Sequence, residues 1–106
     1  MRPSLAVEES LSVLGNNIRT ARLKRRLPQT TLAERAGIGL STLVKIENGN
    51  CGVAIGAVAS VLFALDLGTP MADIAGIDPL AQALENERLP NIPWIILKKK
   101  YGVFHL

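Results

Sequence analysis

Cysteine occurs once in the 106 residues, at Cys51, and histidine once, at His105. A single cysteine forbids an intrachain disulfide, and the pair cannot furnish a Cys₄ or Cys₂His₂ zinc site. Aromatic residues are 4% of the chain against 48% apolar residues overall. Aliphatic side chains and alanine must therefore fill the core, which favours packed helices over an aromatic-rich β-sandwich. Long apolar runs are missing too. The stretch 49–65 is free of formal charge but carries Asn50 and glycines, and it falls short of the ~20 residues a membrane helix needs. No basic stretch followed by an apolar one and a cleavage site is visible. With so little cysteine, the expectation is a cytoplasmic, non-membrane protein. No Ser/His or Cys/His pair, metal-ligand cluster or phosphate-cradling glycine loop can be read off, so no enzyme, cofactor or metal is expected.

What the chain does have is unevenly spread. The net charge is +3, yet residues 1–52 hold eight basic residues against four acidic ones. Residues 53–93 hold Arg88 against five acids, and 94–106 add Lys98, Lys99 and Lys100. A basic half, an acidic half and a basic tail follow. Such a distribution permits an anionic partner on one side. Trp94, Tyr101 and Phe104 crowd into the tail, leaving Phe63 alone in the body.

Periodicity predicts helices throughout the body. Residues 1–9 read as a short N-terminal arm. A first helix is expected over about 8–26, with Leu11, Leu14, Ile18, Ala21 and Arg22 on one side of the wheel. Leu27-Pro28 ends it, and a second helix follows over about 29–36, closed by Gly37. A third spans about 40–48. The stretch 55–65 is apolar nearly all round and predicts the most buried helix. Thr69-Pro70 and Asp78-Pro79 each read as a cap followed by proline, starting short helices to about 75 and 88. The segment 90–106 reads as an extended arm. The expected organisation is an arm at 1–9, a DNA-binding domain at 10–76, an additional helix at 77–89 and a C-terminal arm at 90–106.

The informative unit is 29–49: helix, Gly-Ile-Gly turn, helix. A helix-turn-helix offers its second helix to the major groove. Ser41, Thr42 and Lys45 share the outward face of that helix. Hydroxyls bond base edges of either type, and lysine reaches guanine acceptors. Gln29 stands at a helix start, where anions are gripped. Arg22 on an inward stripe demands a partner, and Glu47, inward on the third helix, supplies one. The two are expected to pair. Arg25 and Arg26 divide between a helix end favoured by the macrodipole and phosphate contact. Cys51 reads as an inert small residue.

The segment LGNNIRTARLKRRLPQTTLAERAGIGLSTLVKIENG resembles the phage-repressor-type (Cro/C1, XRE) helix-turn-helix family, over about residues 12–75. The cluster Q-x-x-L-A-x-x-A-G-I at 29–38 and S-T-L-x-K-I-E-N-G at 41–49 carry the resemblance. It implies a lambda-repressor-like, all-α bundle of five to six helices with an extended C-terminal arm. It also implies Gln29 and Asn48 near phosphate, Leu40, Ser41, Thr42 and Lys45 facing bases, and a structural Arg22–Glu47 pair. Three positions depart from the pattern, Gly39 and Leu40 standing where polar residues are common. Pro28 replaces a capping Ser or Asn, and Leu40 either meets a thymine methyl or folds onto the core. Residues 11–26, 52–65 and 71–75 resemble the HipB-like antitoxin branch, which implies a HipA-like kinase toxin as partner.

The resulting expectation is a nucleoid-associated homodimer on palindromic double-stranded operator DNA, autorepressing a toxin–antitoxin operon. Its dimer surface is expected on the fourth to sixth helices. Trp94 is the candidate partner-binding residue of the arm. The alternatives are a solitary phage-type repressor, and an adaptor that holds a partner enzyme through the arm.

Overall fold

Four consecutive helices end in the same way, and the chain's path follows from it. In the computed structural model, which describes residues 2–87, α1 (Leu5–Lys24), α2 (Gln29–Ala36), α3 (Leu40–Glu47) and α4 (Ile55–Ala64) each close in a left-handed residue. Those residues are Arg26, Gly37, Gly49 and Asp66, with φ of 54°, 69°, 76° and 61°. Each closing turn carries the paired 6→1 and 5→2 backbone bonds that satisfy the last carbonyls of a helix. At α1 they run from the Leu27 N–H to Arg22 O at 3.2 Å and from the Arg26 N–H to Leu23 O at 3.0 Å. A 3₁₀ turn at Pro70–Ala72 and a last helix α5 (Pro79–Glu87) follow. The fold is all-α, with no strand among the described residues.

Several boundaries differ from the sequence expectation. Helix α1 begins at Leu5, not near residue 8, so most of the expected arm at 1–9 is helical. Ser4 is the N-cap, its Oγ accepting from the Val7 N–H at 3.4 Å, and Glu8 sits in the first turn. Both favour a helix start. The helix expected over about 70–75 shrinks to the three-residue 3₁₀ turn, because Ala75 adopts φ 67° and breaks the helical path. Asp78 does cap α5, its Oδ1 accepting from the Leu80 N–H at 3.0 Å.

The described residues divide into two compact units, the first ending at Met71 and the second beginning at Ala72. In the first, Ile18, Leu32, Leu43, Ile46, Val61 and Leu65 form the buried centre. Helix α3 packs on α1, α2 and α4, and α2 packs on α4. Helix α4 is not the most buried element. Val61 and Leu62 face inward, but Ile55 and Phe63 are 72% and 65% exposed. Its apolar composition covers the whole circumference, while α2 and α3 cover only one side. In the second unit Leu80 of α5 is buried. No helix among the described residues is long and apolar enough to cross a membrane. Trp94 and the rest of the 90–106 arm lie outside the described residues.

Candidate nucleic-acid interface

Helix α3 is short, and what fixes it lies at its last turn. Leu43, Ile46 and Glu47 form its buried side. Arg22 reaches Glu47 from α1 through two bonds, Nε to Oε2 at 2.7 Å and Nη2 to Oε1 at 3.1 Å. The two residues are 7% and 8% exposed. A planar guanidinium matches a carboxylate through two parallel N–H bonds, which fixes direction as well as distance. The third arm of Arg22 donates from Nη1 to Leu27 O at 2.9 Å. Leu27 therefore receives Arg22's guanidinium at its carbonyl while giving its N–H to Arg22's own carbonyl. Gln29, the first residue of α2, donates from Nε2 to Glu47 Oε1 at 3.1 Å. One carboxylate thus joins α1, α2 and α3, and no buried side-chain polar atom among the described residues lacks a partner.

Backbone contact reinforces the node. A Cβ on Gly15 would collide with Ile46 O and lie 2.6 Å from Glu47 O. The middle of α1 therefore touches the last turn of α3 with nothing between. At Gly49 a Cβ would sit 2.7 Å from the Ser12 Cα, and the positive φ there suits glycine in any case. Gly15, Gly49 and Ser12 were not singled out as functional residues. A glycine inside a strong helix, on the inward stripe between Leu11 and Ile18, was the available signal, since it costs about 1 kcal/mol against alanine.

The opposite side of α3 is open. Ser41 and Lys45 are exposed, and Thr42 is half-buried beside them. Leu40 stays outside the core cluster at 44% exposure. An open cleft of about 360 Å³ runs alongside, lined by Ile38, Thr42, Lys45, Val53 and Ala57 among others. Asn48, the C-cap of α3, is exposed. Arg25 folds back, donating from Nη1 to Ala21 O at 3.0 Å, so its guanidinium caps its own helix. Arg26 is exposed in its left-handed turn. Neither α2 nor α3 has a side-chain N-cap bond, because Pro28 and Gly39 hold those positions. Cations at the end of α1 and on α3 thus share the first unit with an open, polar helix face. Such a face can bond base edges and phosphates.

The sequence profile of a helix-turn-helix domain matches residues 13–74, more than half of the chain. No curated protein matches the sequence.

Proposed function

We propose that this chain, which belongs to the helix-turn-helix domain family of the XRE/Cro-C1-like type, is a dimeric, sequence-specific repressor that controls its own operon. The family makes it a DNA-binding regulator. One observation carries the finer reading. Ser41 and Lys45 are exposed, with Thr42 half-buried beside them, on the side of α3 away from the buried Leu43, Ile46 and Glu47. Lysine would take guanine O6 or N7, and the two hydroxyls would take neighbouring bases. Asn48 and Arg26 would contact phosphate and set the register without reading sequence.

A homodimer would present two copies of α3 about 34 Å apart, one turn of DNA, on a palindromic operator. The exposed Ile55 and Phe63 of α4 support a second copy as their cover. The antitoxin role, with a HipA-like kinase toxin as partner, rests on the resemblance of residues 11–26, 52–65 and 71–75 to that branch.

The experiment is selection of duplexes from a random library by the full chain, followed by gel-shift titration. A palindrome with half-sites one turn apart is expected to enrich. Lys45→Ala should keep the parent's melting temperature and lose about 1–3 kcal/mol of binding, with relaxed preference at one base. Failure to enrich any sequence, or a Lys45→Ala protein that binds as the parent does, would overturn the reading.

A further inference from the structure

We propose that Leu40 is a specificity-determining residue that reads the 5-methyl group of a thymine in the major groove; the role rests on the reading that α3 binds DNA.

The place of this side chain, more than its exposure, points to the contact. A single exposed leucine is ordinary on a protein surface. Leu40, however, is the first residue of α3 and directly precedes Ser41 and Thr42. The inward places on either side of it are filled by others. Leu43 is fully buried, and Ile38 packs against the core cluster. Leu40 joins neither and is 44% exposed, so it does not fold onto the core. A helical Cα–Cβ bond tilts toward the N-terminus of its helix. The side chain therefore leans toward the start of α3, away from the last turn that Glu47 holds. The residue before it is Gly39. A Cβ there would meet, besides its chain neighbours, only the hydroxyls of Ser41 and Thr42, at 3.9 Å. The start of α3 thus presents a bare backbone, one apolar side chain and two hydroxyls.

That set of groups selects among bases. Leucine neither donates nor accepts a hydrogen bond. Laid against guanine, adenine or cytosine, it would cover nitrogen and oxygen atoms of the base edge without bonding them. A polar group buried without a partner is penalised. Thymine alone among the four bases carries a methyl group in the major groove, and apolar contact with it removes both surfaces from water. Leu40 thus favours thymine by attraction and disfavours the other bases by the polar edges it would cover. The hydroxyls and Lys45 do not supply this preference through hydrogen bonds, because O4 of thymine is present in uracil as well. The Thr42 methyl is a competing apolar group on the same helix, and the test separates the two.

A duplex enriched by the parent from a random library is resynthesised with each thymine in turn replaced by deoxyuridine. The change removes the methyl and keeps the base pair. The parent should bind about 3–5-fold more weakly at one such replacement in each half-site, the effect of about one buried methyl. In Leu40→Ser this difference between thymine and uracil should vanish, because a serine hydroxyl can bond only the O4 that both bases carry. Leu40→Met keeps an apolar end and should retain it, and so should Thr42→Ser. The scan of the parent needs no variant to fold. A scan with no sensitive thymine would overturn the proposal, and so would a sensitivity that persists in Leu40→Ser or that vanishes only in Thr42→Ser. If no duplex is enriched, the DNA-binding reading itself fails, and this role with it.

Discussion

Removing the guanidinium of Arg22 tests the physical account of this fold most directly. Arg22→Ala deletes both bonds to Glu47 and the bond to Leu27 O. Glu47, 8% exposed, would keep only the Gln29 amide as a partner for its full charge. Breaking a buried pair from one side costs about 3–5 kcal/mol, because the remaining charge has lost its compensation. At about 0.05–0.15 kcal/mol per residue, a unit the size of residues 1–71 has roughly 4–11 kcal/mol in total. The variant should lose a large part of that. Each kcal/mol shifts the melting temperature of a domain this size by about 4–8 °C, so a fall of at least 12 °C, or loss of a cooperative transition, is expected in thermal and urea melts followed by circular dichroism. Removing both charges with Arg22→Met and Glu47→Leu together should cost less than Arg22→Ala alone, since no uncompensated ion is left. An Arg22→Ala protein melting within about 3 °C of the parent would refute the reasoning, as would a double variant less stable than the single one.

Two further changes probe the helix contacts. Gly15→Ala should lower stability by about 1–3 kcal/mol despite alanine's better helix propensity, because the new methyl meets backbone of Ile46 and Glu47 that cannot swing aside; a rise in the urea midpoint would contradict the close approach. Asp66→Gly should raise stability by about 0.5–1 kcal/mol. It relieves a φ of 61° and removes a negative charge from the C-terminal end of α4, and a lower melting temperature would count against it.

The helix-turn-helix was legible because its parts announce themselves locally. Pro28 marks a helix start, Gly37 supplies a left-handed stop, and apolar residues recur at helical spacing from Leu11 to Ile18. Arg22 was legible through an inconsistency, a cation on an apolar stripe, which only a carboxylate on another helix could resolve. Gly15 was harder. Its role depends on how closely two helix axes approach, and axis distance is a tertiary property with no local code. The start of α1 was misplaced because the apolar stripe begins at Leu11, whereas the capping bond begins at Ser4. Composition misled at α4, since an all-apolar helix says nothing about how many neighbours cover it. The tie between Gln29 and Glu47 was out of reach for another reason. Both residues carried separate expectations, and nothing in their spacing of 18 residues reports that one oxygen serves two donors.

The core and the polar node do different work. Ile18, Leu32, Leu43 and Val61 supply non-directional burial, and aliphatic contacts of that kind tolerate small slides between helices. A helix that reads bases must be held against such slides. Directional bonds do that, and here three donors from two helices converge on the last residue of α3. The glycine contacts act on the same turn from α1 and from the chain just beyond α3. Position is thus fixed at one end of α3, and two of the side chains that would meet DNA, Ser41 and Thr42, are carried at the other. An apolar substitute at Arg22 and Glu47 could leave the protein folded and still blur the aim of Ser41 and Thr42, so stability and base preference should separate in that double variant.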